Sequence, residues 1–236
     1  MIMAAPIEKR ADKVMECRNE TLKPYQLMGA VQMYEATGDE AFKEFVMTHL
    51  SRNKATEGTA ESLPVQDYLA YIFAYGQTGD EEYRRKMESA IHSKEWTLDF
   101  MPFVTAYETK YKRKEHYNEI AAMFRGKESF TGNELIALIE TISQMSEEIY
   151  EYYRELRDLF KDIVKKKMKK LPDSSEILEI GYSILKACNT GVLQKEKYSN
   201  FGELAWQTIA GEGKQTWSGL ENMIRAQYTI LKKQEV

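Results

Sequence analysis

Apolar side chains recur along this chain at intervals of three and four residues, the repeat of a helix that turns once every 3.6 residues. The pattern predicts helices near 7–18, 25–36, 40–51, 63–76, 81–92 and 98–110. It predicts six more near 114–124, 132–145, 147–170, 174–189, 195–210 and 216–232. Pro24, Pro64 and Pro172 fall at or just before predicted starts, where a missing N–H costs little.

The predicted helices are of two kinds, and they alternate. Even-numbered ones are apolar around much of their circumference, as in Tyr68-Leu69-Ala70-Tyr71-Ile72-Phe73-Ala74-Tyr75. Odd-numbered ones carry a charged face, as in Glu81-Glu82-Tyr83-Arg84-Arg85-Lys86-Met87. A helix apolar all round is buried, and one with a polar face lies outside. Twelve helices of this kind predict an all-α fold, an (α/α)6 toroid in which six inner helices are wrapped by six outer ones. The competing arrangement is an open solenoid of helix pairs, such as tetratricopeptide repeats of about 34 residues. The 236 residues divide into six hairpins of about 39 each, so a single domain over 1–236 is expected.

An internal repeat marks the hairpin tips. Tyr34-Glu35-Ala36-Thr37-Gly38-Asp39-Glu40-Ala41-Phe42 matches Tyr75-Gly76-Gln77-Thr78-Gly79-Asp80-Glu81-Glu82-Tyr83. Glycine closes one helix because it accepts a left-handed backbone. Aspartate then caps the next helix, and glutamate suits its first turn. Glu108 to Tyr117 holds the equivalent place in a third unit, without the glycine.

Composition narrows the function. Only 5 prolines and 13 glycines are present, which suits long helices better than a turn-rich β fold. The net charge is −4, with acidic and basic residues interspersed. No basic half exists to neutralise phosphates, so nucleic acid is not an expected partner. Cys17 and Cys188 lie far apart without a CxxC pair, so two free thiols and no metal or other cofactor are expected. No apolar stretch is long enough for a signal peptide or membrane span, and a cytoplasmic location away from membranes follows as the default.

Four segments carry a family resemblance. Tyr25-Gln26 precedes Gly29 and the Thr37-Gly38-Asp39 tip. Trp96-Thr97-Leu98-Asp99-Phe100-Met101-Pro102-Phe103 places an aspartate at the opening of an inner helix. Gly132-Asn133 is followed by Ala137-Leu138, and Ser174-Ser175 leads to Thr190-Gly191-Val192-Leu193. In this order and spacing, over about 25–210, they resemble the unsaturated glucuronyl and rhamnogalacturonyl hydrolases, glycoside hydrolase families 88 and 105. The chain also departs from that pattern. The loop that carries an Arg-His and a Trp-Asp in the family shrinks here to Arg125–Ser129, and the family's Arg and Trp around Gly-Asn become Thr131 and Leu135.

The resemblance implies that an aspartic acid protonates the C4=C5 double bond of an unsaturated uronyl sugar while water adds at C5. Such chemistry needs one carboxylic acid of raised pKa and a positioned water. Asp99 matches that acid, and its neighbours Trp96, Leu98, Phe100 and Met101 would raise its pKa by desolvation. Its alternative role is a helix cap. Asp67, Glu134, Asp173 and Glu176 also fall near starts of inner helices. Each is either a cap or part of the same mouth, and Asp67 and Glu134 are taken here as substrate contacts. The resemblance extends contact to Tyr25, Gln26, Asn133 and Ser175. Trp96 and Trp217 offer apolar faces to a sugar ring, with core packing as the plainer role.

The remaining features predict surface. His49, His92 and His116 fall on outer helices near ends or polar faces, without the spacing of a metal site. The Lys165–Lys170 run suits a solvated helix end, and the tyrosines at 150, 152 and 153 suit outer packing or a contact surface. Two functions remain open on the sequence. One is a small hydrolase of short unsaturated uronyl saccharides. The other is a catalytically degenerate ring that binds a saccharide or a protein partner.

Overall fold

The computed structural model describes residues 21–55, 63–111, 114–211 and 218–234. Eleven α-helices are present among them: α1 (Gln26–Thr37), α2 (Glu40–Ala55), α3 (Leu69–Thr78), α4 (Glu81–Ser93), α5 (Met101–Tyr111) and α6 (Tyr117–Phe124), then α7 (Gly132–Gln144), α8 (Tyr150–Lys167), α9 (Ile177–Asn189), α10 (Lys195–Gly211) and α11 (Gly219–Lys233). No strand occurs among the described residues. The helix predicted near 7–18 lies outside them.

Burial separates the two kinds of helix as their patterns require. In α5 every residue from Met101 to Glu108 is buried, and in α7 every residue from Leu135 to Ile142 is. By contrast α8 buries only Leu156, Phe160 and Val164, one stripe at four-residue spacing. Consecutive inner helices pack side by side in the order α1, α3, α5, α7, α9, α11, and α11 packs most extensively of all against α1. The described helices therefore close into a ring. An open solenoid would leave those two helices apart.

Closure depends on two glycines. A Cβ built on Gly219 would lie 2.1 Å from the carbonyl carbon of Tyr25, and one on Gly29 would lie 2.4 Å from the carbonyl oxygen of Gly219. Backbone meets backbone at the start of both helices, so a side chain at either position has nowhere to go. At the far ends of the same pair, Lys233 Nζ donates to the Ala36 carbonyl at 2.7 Å.

The two repeat copies match bond for bond. Gly38 (φ 73°) donates to Tyr34 O at 2.7 Å, and Gly79 (φ 67°) to Tyr75 O at 2.8 Å. Asp39 accepts from Ala41 N at 3.0 Å, and Asp80 from Glu82 N at 2.9 Å. Tyr34 OH reaches Glu40 as Tyr75 OH reaches Glu81. At the third tip the buried Glu108 carboxylate takes the glycine's organising role. It accepts from Glu115 N at 2.9 Å and lies 2.7 Å from His116 Nδ1.

Several predicted boundaries move. The segments 63–76 and 98–110 each begin as a 3-10 turn, Val65–Asp67 and Leu98–Phe100, before the α-helix proper. The segment 147–170 starts with Glu147–Ile149 in a 3-10 turn and ends in another, Met168–Asp173. Periodicity alone does not separate a tight 3-10 turn from the first turn of an α-helix.

Candidate active site at the inner-helix N-termini

The inner helices all start at one face of the ring. Gly219 meets Tyr25 there, Gly132 meets Glu176 and Glu179, and the two 3-10 turns before α3 and α5 pack on each other. Six helix N-termini gathered in one mouth present partial positive charge to any anion that enters.

Asp99 sits in this mouth, half-buried in the 3-10 turn Leu98–Phe100. Its Oδ2 accepts from Gln66 Nε2 at 2.9 Å. Burial raises its pKa, the Gln66 bond opposes the rise, and the nearby Glu134 charge adds to it. The alternative role as a cap is not what the structure shows: the N-cap position belongs to Thr97, whose side chain makes no capping bond.

Asp67 lies deeper and is fully buried. Its Oδ1 accepts from Met28 N at 2.8 Å, so it caps α1 from a segment 39 residues away. Desolvation pushes its pKa up to about 7, against the pull of the first-turn backbone N–H groups of α1. Its Oδ2 is buried without a hydrogen-bond partner among the described residues.

Tyr25 lies near both carboxylates. It is buried at the start of α1 with a left-handed backbone, φ 67°, a conformation that costs a non-glycine residue about 1–3 kcal/mol. Burial raises its hydroxyl pKa, and the Asp99 and Asp67 charges raise it further. The structure thus brings Tyr25, Asp67 and Asp99 together. It adds Gln66, which the sequence reading missed; its signal was only its place beside Asp67 in a Pro-initiated turn.

Other candidates are engaged elsewhere. Glu134 closes a capping box with Thr131 and pairs with Lys127 at 2.9 Å. Burial works against its charge, but Thr131 N–H and Lys127 outweigh it and hold its pKa below the usual range. Glu176 accepts from Gly132 N at 2.6 Å and pairs with Lys167 at 2.8 Å, so the lysine run is not simply a solvated end. Gln26 Oε1 accepts from Lys23 N at 2.8 Å. Asn133 and Ser175 are exposed before or within the first turns of α7 and α9. Trp96 is packed edge-on to His116, with its indole N–H on Ile91 O at 3.3 Å. Asp173 ends a 3-10 turn. Trp217 lies outside the described residues, as does Cys17.

The histidine expectation is corrected in two places. His49 is buried, with Nδ1 2.9 Å from Phe45 O. His116 is held by buried Glu108. Both contacts come from residues on neighbouring turns or elements, which a reading of each helix in isolation misses. His92 is exposed. Cys188 is a buried free thiol, and burial pushes its pKa up to about 12. Among the described residues no three His, Cys, Asp or Glu side chains are placed to hold a metal ion. No described helix is long and apolar enough to cross a membrane.

A closed ring of alternating inner and outer helices defines an (α/α)6 toroid. The chain shares this fold with a solved structure described as a glycosyl hydrolase family 88 protein from Bacteroides vulgatus. The two superpose with a TM-score of 0.68 at 14% identity, over 98% of this chain and 97% of that one. The resemblance to family 88 therefore holds at the level of the fold. No protein-family model matches the chain, and no curated protein does.

Proposed function

We propose that this protein is a hydrolase of short unsaturated uronyl saccharides, with Asp99 as its general acid. The observation that carries the reading is the state of Asp99: half-buried in a mouth of helix N-termini, held by one amide, with a raised pKa. The mouth attracts the sugar carboxylate. Asp99 then delivers its proton to C4, water adds at C5 and gives its spare proton back to the Asp99 carboxylate, and the resulting hemiketal opens to release the neighbouring sugar. Asp67 positions the Tyr25 end of α1 through its bond to Met28 N. Gln66 holds the reacting carboxyl and Tyr25 lies near it, and the exposed Asn133 and Ser175, at the starts of α7 and α9, are the remaining candidates to meet the sugar.

The test is spectroscopic. Hydration destroys the conjugated double bond, so ultraviolet absorbance falls with turnover, and no metal need be added. Asp99→Asn should stop the loss. Turnover that survives in that variant rules out Asp99 as the acid.

A second reading rests on a specific observation. Glu134 and Glu176 spend their carboxylates on helix starts and lysines, and Trp96 packs sideways. This favours a ring that binds a saccharide or a protein without turning it over. Saccharide binding without absorbance loss across a panel of unsaturated disaccharides would establish that alternative.

A further inference from the structure

A cavity of about 140 Å³ lies along α1 and α3, behind the carboxyls of the mouth, and takes no part in the proposed chemistry. It runs from Met28 and Leu69, near the starts of α1 and α3, to Glu35 and Gln144, near the ends of α1 and α7, and its two walls differ. Val31, Ile72 and Phe73 give an apolar wall, while Glu35, Glu140 and Lys186 give a charged one. Its size is close to that of a cavity of roughly 150 Å³ that accepts a benzene ring.

The charges on the polar wall are unequally served. Glu140 is buried and hydrogen-bonded by Gln32 Nε2 (3.3 Å) and by Tyr182 OH, with Lys186 Nζ 3.6 Å away. Glu35 makes no hydrogen bond or ion pair with the described residues. Glu35 is exposed, yet desolvation raises its pKa, with Lys186 opposing and Glu140 adding. A lining residue that is also exposed places this carboxylate at the cavity's rim. Two carboxylates against one ammonium leave the recess one negative charge in excess. The C-terminal ends of α1, α7 and α9 lie near this wall and add negative potential, and the Phe73 ring lines the cavity beside it.

We propose that this cavity binds a small organic ammonium ion with an apolar body, the ammonium on Glu35 and the body against Val31, Ile72 and Phe73. Lys186 stays with Glu140 and so directs the incoming cation to Glu35. A neutral sugar would leave the excess charge unmet. A zwitterionic amino acid would set its own carboxylate among two others.

Benzylamine and benzyl alcohol have nearly the same shape and differ in charge at pH 7, so they make the matched probes. Binding to the full chain is measured by calorimetry or by ligand-observed NMR. Benzylamine should bind about tenfold tighter or more, as a charge-assisted bond in a recess requires. Glu35→Gln, at a helix position that tolerates glutamine, should erase the preference with the fold intact by circular dichroism. Phe73→Leu should weaken benzylamine, and Asp99→Asn should leave its binding unchanged. Equal affinities, binding of neither probe, tighter binding of glucose or phenylalanine, or a preference that survives Glu35→Gln would each overturn the proposal. So would loss of amine binding in Asp99→Asn, which would move the amine to the front mouth.

Discussion

Asp67 caps a helix to which it is not attached: its Oδ1 accepts from Met28 N at 2.8 Å, across 39 residues of chain. A carboxylate in that position ties the start of α3 to the start of α1, and it does so while fully buried.

The burial of Asp67, which outweighs the bond to Met28 N, makes stability depend on pH in a defined direction. Folding raises the Asp67 pKa from the ordinary 3.8 to about 7, so the folded protein holds this proton more tightly than the unfolded chain. The contribution is full below about pH 4 and is lost as pH rises through 7, on the order of 4 kcal/mol at most at about 1.36 kcal/mol per unit. The thermal midpoint of wild type should therefore fall relative to that of Asp67→Asn between pH 5 and pH 8. Parallel curves for the two proteins would show that Asp67 does not titrate in this range.

Asp99 should separate activity from stability. Asp99→Asn keeps an oxygen for the Gln66 amide but has no proton to give, so turnover stops and the melting temperature holds. Asp99→Ala should also stop turnover and cost less than about 1 kcal/mol, because the residue caps no helix and loses a single part-buried bond. The wild-type rate should fall as pH rises through the raised Asp99 pKa. A rate that climbs over that range would point to a base instead.

Ring closure is open to a one-atom test. Gly219→Ala places a methyl 2.1 Å from the Tyr25 carbonyl carbon, where only backbone could yield. Overpacking of this kind costs about 1–3 kcal/mol or more. Chemical denaturation should show a loss in that range, whereas Gly76→Ala, with only a lysine tip 3.9 Å away, should be neutral or stabilising. Equal effects at the two sites would mean that α1 and α11 are not held so closely.

The buried network inside the ring gives a further measurement. Tyr182 OH bonds to Glu140, and Gln32 Nε2 reaches the same hydroxyl at 2.8 Å. Tyr182→Phe removes a donor from a buried carboxylate, so it should cost about 1.5–3 kcal/mol by urea denaturation. A neutral result would mean that water takes over the vacated bond.

The hairpin tips were legible in the sequence because a tip is local. Thr-Gly-Asp-Glu writes its own turn: the glycine takes a positive φ, and the aspartate caps two residues on. The alternation of apolar and half-charged helices gave the two layers for a similar reason, since burial of a helix face follows from its own residues. Boundaries at 65–67 and 98–100 were not legible, because a 3-10 turn and an α-turn share nearly one pattern.

The sequence by itself thus determined an all-helical chain, its two layers and most of its hairpins. Only the tertiary structure decided closure, because that depends on Gly29 meeting Gly219 across nearly the whole described chain. It also decided the roles of the carboxyls. Asp67, Asp99, Glu134 and Glu176 look alike as acidic residues near helix starts. One caps a distant helix, one is held by a glutamine, and two are paired with lysines. A carboxyl's pKa and partners are set by the groups that surround it in space, and those groups come from helices far apart in the chain.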